Sequence, residues 1–203
     1  MKHTTAVRRA LITSAAVALL GAAGTSAASA QRLATPDGTG DVWQLSSDST
    51  TPTQAPDQTN GDITSTVVRY AKKVHLRIAM VDLKRTGQNG VVLMGSDVRT
   101  SAGKHYSVSM IGSYGHWRGQ TELDNGRGKP VKCHVTGQFD YTANTGVVKI
   151  PGGCLGNPRW VRLGGPGVGT STDLFSQTGS FYFDDALDPG YQGTNWTGRI
   201  HRF

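Results

Sequence analysis

Apolar and polar residues alternate along much of this chain from residue 63 onward. The clearest case is residues 74–81, in which Val74 and every second residue after it are apolar, with His75 and Arg77 between them. A stretch rich in β-branched residues, 63–70, precedes it across the short polar turn Ala71-Lys72-Lys73. Period-two alternation on one side of a turn and a β-branched run on the other predict a β-hairpin.

Similar short runs continue to the end of the chain, separated by turn signals such as Asn125-Gly126. Further strands are predicted over residues 91–99, 105–114, 116–123, 131–135, 138–142, 147–150, 160–163 and 181–184. The 27 glycines and the regular turn signals argue against helices after the leader. We therefore predict an all-β protein, an antiparallel β-sandwich of the jelly-roll or immunoglobulin-like kind.

Three segments are expected along the chain. Residues 1–30 read as a cleaved signal peptide, with cations at Lys2, Arg8 and Arg9 before an apolar stretch and the small residues Ala28-Ser29-Ala30 at its end. Residues 31–61 form an N-terminal strand and a Ser/Thr/Pro-rich loop, 44–60, that belong to the domain, and 62–203 form the sandwich core. We expect a secreted, extracellular protein without membrane association after cleavage; the choice between general and twin-arginine export stays open.

Cys133 and Cys154 are the only cysteines. In an oxidising compartment two such cysteines are expected to form a disulfide, which should stabilise the fold by about 3 kcal/mol. A zinc site is the alternative, because His134 adjoins Cys133 and further histidines, His105 and His116, lie upstream. The chain lacks a second ligand pair at zinc-finger spacing, so we predict the disulfide.

Positive charge is concentrated in the middle of the chain. The leader carries three cations and no acid, so the formal charge falls from +7 for the whole chain to +4 for the mature part. Residues 63–132 carry twelve Lys or Arg and only four acids, whereas the flanks are acidic. This middle segment either faces an anionic partner, such as a cell-envelope polymer, or forms a solvated outer surface.

Aspartates collect in glycine-rich loops near both ends of the mature chain. Asp37-Gly38-Thr39-Gly40-Asp41 precedes a predicted strand, Asn60-Gly61-Asp62 precedes another, and Asp184-Asp185 end a third. Loops of this kind hold calcium through several oxygen ligands, and the two ends of a domain often lie close together. We predict a calcium site with Asp37, Asp41 and Asp185 as ligands; ordinary turn chemistry is the alternative.

One aromatic segment is a candidate ligand-binding site. In Tyr114-Gly115-His116-Trp117-Arg118, a flat indole lies among hydrogen-bond donors in a predicted turn. Such a segment can stack on a sugar, although large aromatic residues of a small sandwich also fill its core. We predict that Tyr114, His116, Trp117 and Arg118 contact the ligand.

Signatures of catalysis are sparse. The chain has no Gly-x-Ser-x-Gly elbow, zincin helix or phosphate loop, and Glu122 is its single glutamate. Asp184 and Asp185 are adjacent, so on a strand they would point to opposite faces and make a poor catalytic pair. His116 is close in sequence to Glu122 and Asp124, which leaves a small hydrolase with an Asp/His site as an alternative.

A resemblance to a group of known proteins rests on three segments of the chain. They are residues 151–163, Pro-Gly-Gly-Cys-Leu-Gly-Asn-Pro-Arg-Trp-Val-Arg-Leu, residues 37–42, and Phe183-Asp184-Asp185-Ala186. In these motifs the chain resembles a group of small secreted bacterial proteins of unknown function, similar to jelly-roll carbohydrate-binding modules. The resemblance implies fold and export, and by fold-level analogy a sugar or calcium role.

From these features we expect a secreted non-enzymatic binding module, stabilised by calcium, that contacts carbohydrate or an anionic cell-envelope polymer and no nucleic acid. The oligomeric state is left open. A protein-binding accessory or inhibitory protein is a further alternative to the hydrolase. A clustered aromatic strip beside a basic face would favour the binding module, and a pocket in which His and Asp converge would favour the hydrolase.

Overall fold

The computed structural model describes residues 31–47, 49–173, 179–188, 190 and 195–203. The predicted signal peptide, residues 1–30, lies outside the described residues. Among the residues that are described, no helix is long and apolar enough to cross a membrane.

Two antiparallel sheets are built from strands numbered in chain order. The strands are β1 (Gln31–Pro36), β2 (Trp43–Ser46), β3 (Thr53–Gln54), β4 (Ile63–Tyr70), β5 (Lys73–Met80), β6 (Val91–Thr100), β7 (His105–Ser113), β8 (Gln120–Asn125), β9 (Thr136–Asp140), β10 (Thr145–Pro151), β11 (Trp160–Ser171), β12 (Ser180–Asp185) and β13 (Ile200–His201). Sheet A has the order β1-β4-β5-β10-β9, and sheet B the order β3-β2-β12-β11-β6-β7-β8, with β13 paired to β11. The predicted all-β, sandwich-like fold is confirmed.

The core lies between the two sheets and follows the predicted alternation. In β5, every second residue from Val74 to Met80 is at most 5% exposed, whereas Lys73 and Arg77 are exposed. Burying each such apolar side chain stabilises the fold by roughly 1.5–3 kcal/mol relative to exposure. The predicted hairpin is also present, since Tyr70 pairs with Val74 across the turn between β4 and β5.

Several of the predicted element boundaries are wrong; the strand predicted over 116–123, for example, begins only at Gln120. Residues 44–60 are not one long loop, because β2 pairs with the distant β12 and β3 pairs with β2. Residues 131–135 are not a strand. Pro130, which forms an isolated bridge with Asp124, has no N–H to donate to a longer ladder. After Val131 the chain leaves β8 in sheet B and crosses to β9 in sheet A.

Strand β11 is longer than predicted. The prediction ends it at Leu163, but it continues to Ser171 with a register shift between Gly164 and Gly167. Gly164 lies under the indole of Trp196, where a Cβ would come within 3.0 Å of ring atoms. The glycines therefore let the strand bend and admit an aromatic ring instead of ending the strand.

The predicted disulfide between Cys133 and Cys154 is confirmed. Their Cα atoms are 5.8 Å apart and they are 21 residues apart in sequence. This spacing falls within the range that disulfide geometry requires. The bond ties the segment that crosses from β8 to β9 to the short 3₁₀ helix Gly152–Leu155 at the end of β10.

Candidate metal centre and outer surfaces

Three aspartates meet where the two sheets approach each other at one end of the sandwich. Asp41 lies in the loop between β1 and β2, Asp62 immediately precedes β4 of sheet A, and Asp184 lies in β12 of sheet B. One carboxylate oxygen from each lies within 4.8 Å of the others. Asp62 and Asp184 are each only 3% exposed.

Backbone donors hold this group in place. The N–H of Gly40 donates to Oδ2 of Asp62 at 3.0 Å, and the N–H of Ile63 donates to Oδ2 of Asp184 at 2.6 Å. Gly40 has a φ of 79°, and a Cβ there would lie 3.4 Å from the carbonyl oxygen of Pro56. Glycine is therefore suited to this position, where its backbone turns towards Asp62.

Several buried carboxylate oxygens at this site have no hydrogen-bond partner. Among the described residues they are Oδ2 of Asp37, Oδ1 of Asp41 and Oδ1 of Asp62. A buried acceptor without a partner costs roughly 1–3 kcal/mol, and more if it is charged. The oxygen of Asp62 is the most telling, because the whole side chain is buried and its other oxygen is already bonded.

The electrostatics of the group are unfavourable for ionised carboxylates. Burial, and then repulsion from Asp41, Asp37 and Asp62, raise the pKa of Asp184 to about 7, although its bond from Ile63 works in the other direction. Burial and the charge of Asp41 likewise raise the pKa of Asp37 to about 7. The pKa of Asp62 is also raised, mainly by burial. A cation among them would remove this penalty.

Oxygen-only ligand sets suit hard cations. Calcium takes six to eight oxygen ligands from carboxylates, carbonyls and water in flexible geometry. Asp41, Asp62 and Asp184 could supply three, with Asp37 beside them. The group contains no histidine or cysteine, so its chemistry does not favour zinc, and Cys133 is taken by the disulfide.

The predicted calcium ligands are only partly brought together. Asp41 belongs to the group, and Asp37 is close enough for Asp41, Asp62 and Asp185 to raise its pKa. Asp185 follows Asp184 on β12, and its Oδ1 accepts a 3.0 Å hydrogen bond from the N–H of Leu187. The role of Asp37, Asp41 and Asp185 as ligands stays a prediction.

Sequence reasoning missed Asp62 and Asp184 as members of the group. Both were visible as aspartates at strand ends, but their convergence depends on pairing between distant strands. Asp184 pairs with Val168 and shares its inward face, whereas Asp185 pairs with Gly167. Which of the two adjacent aspartates turns inward is therefore decided by the register of β12 against β11.

The predicted aromatic segment lies in the turn between β7 and β8. Tyr114 is 62% exposed, whereas Trp117 is partly buried and packs edge-on against Tyr141 with ring centroids 6.3 Å apart. His116 and Arg118 are exposed, and the carbonyl of Arg118 accepts a 2.8 Å hydrogen bond from the N–H of Phe139. The turn is thus anchored to β9, and its contact with a ligand stays a prediction.

A row of apolar residues crosses the outer face of sheet B. Successive strands pair Trp43 with Phe183, Phe183 with Gly169, Gly169 with Leu93, and Leu93 with Ile111. Directly paired residues share a face of the sheet, so these five positions form one continuous stripe. We call it the outer stripe.

Phe181 adds a second phenyl ring next to Phe183 of the outer stripe. Their rings are stacked, with centroids 6.2 Å apart and an angle of 22° between the planes. The ring of Phe181 lies over Gly169, where a Cβ would collide with it. These residues border a shallow cavity of about 270 Å³ with a glycine floor, a form that suits a flat ligand.

The histidine and acid pairs that a hydrolase would use do not form ion pairs. Within the part of the chain that the structure describes, His116 makes no ion pair with Glu122 or Asp124. His105 shares a surface cavity of about 380 Å³ with Asp97 and Asp124, again without an ion pair among described residues.

Comparison with family models, with curated proteins and with solved structures finds no match for this chain.

Proposed function

We propose that the mature chain is a non-enzymatic binding module that acts outside the cell, is stabilised by calcium and contacts carbohydrate. The observation that carries the calcium part is the buried, unpartnered Oδ1 of Asp62 within a group that also contains Asp41 and Asp184. Because the three residues come from a loop and from both sheets, a bound cation would link all three parts of one end of the sandwich.

Binding is favoured over catalysis by the burial of the acidic group. Asp62 and Asp184 are 3% exposed, so the scissile bond of a polymer has no access to them. Raised pKa values of the kind found for Asp37 and Asp184 also occur at catalytic acids. Here they arise from burial and from repulsion between carboxylates, both of which a bound cation would offset.

The outer stripe supports the carbohydrate part of the proposal. Partly buried aromatic side chains over a glycine floor provide flat apolar surface, and Asp185 borders the same cavity with a polar group. Contiguous apolar surface of this kind on a soluble domain marks ligand-binding grooves. The sugar contact predicted for Tyr114, His116, Trp117 and Arg118 lies on a different surface, the turn between β7 and β8. That turn and the outer stripe can therefore be tested independently.

The test is sedimentation of the purified protein with insoluble chitin, cellulose and peptidoglycan. We expect binding to at least one of them, and Phe183→Ala should weaken it by at least about tenfold, equivalent to ~1.4 kcal/mol. Phe203→Ala is the matched control, because it removes an exposed phenyl ring at the C-terminus. If the wild type sediments with none of the three, the carbohydrate part of the proposal is wrong.

A further inference from the structure

Four basic side chains lie in one row across the outer face of sheet A. Arg32 on β1 pairs with Arg69 on β4, Arg69 pairs with His75 on β5, and His75 pairs with Lys149 on β10. Directly paired residues point to the same face, and adjacent strands are about 4.8 Å apart. The row therefore spans roughly 14 Å over four adjacent strands. We call it the basic row.

Further cations flank the basic row. Lys73 and Arg77 lie two residues to either side of His75 on β5 and are exposed, as are Arg32, Arg69 and Lys149. Arg32, Arg69, His75 and Arg77 line one surface depression of about 200 Å³, whose floor includes Val67 and Val147. The positive charge thus surrounds a shallow recess instead of being scattered over the sheet.

On the described strands of sheet A, almost no negative charge balances this face. Among the described residues of sheet A, the outward-facing acid is Asp140, at the end of the edge strand β9 and paired with Thr145. Its Oδ1 already accepts hydrogen bonds of 3.0 Å from the N–H groups of Thr142 and Ala143. Asp140 therefore caps a turn and does not neutralise the basic row.

The row is unfavourable for the isolated protein. Arg32 and Arg69 lie directly opposite one another, and like charges in that position on a sheet are destabilising. Burial and the charges of Lys149, Lys73 and Arg69 hold the pKa of His75 below its usual value. An anionic partner would relieve this repulsion, so the arrangement is matched to a ligand that supplies negative charge at several adjacent points.

We infer that the basic row binds a linear, anionic polysaccharide or polyol polymer of the cell envelope, one that carries a phosphate or carboxylate group on each repeat. Guanidinium groups pair well with both oxyanions. The face offers no Phe, Tyr or Trp among its described outward positions on which nucleic-acid bases could stack. The inference deepens the proposed binding function and rests on it, but it uses the face opposite the outer stripe.

The test is binding of the purified protein to soluble poly(glycerol phosphate) and to polygalacturonate, with neutral dextran and single-stranded DNA as comparisons. The first two probes separate phosphate from carboxylate as the source of charge. Arg69→Gln with Lys149→Gln removes two charges from the row. Arg127→Gln with Lys129→Gln removes two exposed charges from the loop after β8 and is the matched control.

We expect the protein to bind at least one of the two anionic polymers more tightly than dextran or DNA, with an affinity that falls as salt is added. The variant in the row should lose at least about tenfold in affinity, whereas the control should stay within about twofold. Arg32→Gln with Lys149→Gln, at the two ends of the row, should show a similar loss. Melting temperatures should confirm that all variants fold, since removing like charges from the row relieves repulsion.

Equal losses in the row variant and the control would mean that only net charge matters, and would overturn the inference. So would equal or tighter binding of DNA, or failure to bind either anionic polymer. None of these results bears on chitin, cellulose or peptidoglycan binding through Phe183, nor on calcium binding at Asp62. Failure of this inference is therefore distinguishable from failure of the proposed function.

Discussion

The backbone N–H of Ile63 donates a 2.6 Å hydrogen bond to Oδ2 of Asp184, across 121 positions of the chain and from sheet A to sheet B. Both residues are buried, and the bonded carboxylate is also a member of the acidic group with Asp41 and Asp62. One side chain therefore joins the two sheets and presents an oxygen to the candidate cation. Stability and metal binding should be linked at this residue.

Asp184→Asn should separate these two roles. The amide oxygen can still accept from Ile63, while one charge leaves a group in which carboxylates repel one another. Without calcium at pH 7.5 we expect the melting temperature of the variant to equal or exceed that of the wild type, because the repulsion is reduced. Each kcal/mol of stability changes the melting temperature by about 2–4 °C in a chain of this size. The stabilisation by added calcium should be lost.

Asp185→Asn is the paired comparison for that experiment, because it removes the same charge from the neighbouring residue. If Asp184 and not Asp185 is the ligand, this variant should keep most of the calcium response. A calcium response that survives in Asp184→Asn and disappears in Asp185→Asn would restore the ligand set predicted from sequence and contradict the one drawn from the structure.

The pH dependence of stability should be unusual in calcium-free buffer. Asp37 and Asp184 have pKa values of about 7 in the folded protein, against 3.8 for an unperturbed aspartate. Because the folded state binds these protons more tightly than the unfolded state, stability should fall as the pH rises from about 4 to 7. The melting temperature of the stripped protein should accordingly be higher at pH 5 than at pH 7.5.

Millimolar calcium should reduce or reverse this trend, because a bound cation favours the ionised carboxylates. The gain in melting temperature on adding calcium should therefore be larger at pH 7.5 than at pH 5. A stripped protein whose melting temperature rises steadily between pH 5 and pH 7.5 would show that the aspartates are not kept protonated by their surroundings.

Gly40→Ala should weaken the cation site through the backbone. Alanine is strained at a φ of 79°, and its Cβ would crowd the carbonyl oxygen of Pro56, so the N–H that holds Asp62 should shift. Gly103→Ala is a matched control, with a φ of 73° and nothing within 4 Å of its Cβ. Both should lose about 1 kcal/mol of stability in chemical denaturation. Only Gly40→Ala should also lower calcium affinity.

The disulfide should contribute independently of calcium. Replacing Cys133 and Cys154 together by alanine opens a loop of 21 residues, for which the expected loss is about 3 kcal/mol. Urea denaturation of the variant and the wild type, both saturated with calcium, measures the difference. A loss well below 1 kcal/mol would mean that the segment between β8 and β9 is held by its packing alone.

The local part of the fold could be predicted from the sequence, and the pairing of distant strands could not. The alternation in β5 identified its buried face without any knowledge of its partners. Strand β2 was missed because residues 44–60 as a whole are rich in Ser, Thr, Gln and Pro, and because this four-residue strand forms by pairing with the distant β12. Strand β11 runs past its predicted end at Leu163 through several glycines, which usually weaken a strand but here accommodate aromatic rings packed over them.

The candidate sites depend on distant pairing in the same way. Asp41 could be chosen from its glycine-rich loop, but Asp62 and Asp184 become its neighbours only through the meeting of β4 and β12. The excess of positive charge in residues 63–132 was evident from composition. Its alignment with Arg32 and Lys149, which lie outside that segment, exists only because four strands pair in the observed register.

The most direct measurement of the central claim is the melting temperature of the chelator-stripped wild type and of Asp62→Asn, each with and without millimolar calcium at pH 7.5. A ligand that binds only the folded state stabilises it by about 2.7 kcal/mol at a hundredfold excess over its Kd. We predict that calcium raises the melting temperature of the wild type by roughly 5–10 °C and changes that of Asp62→Asn little. The control Asp97→Asn, on the outer face of sheet B, should respond as the wild type does. A wild-type melting temperature that calcium leaves unchanged would contradict the account.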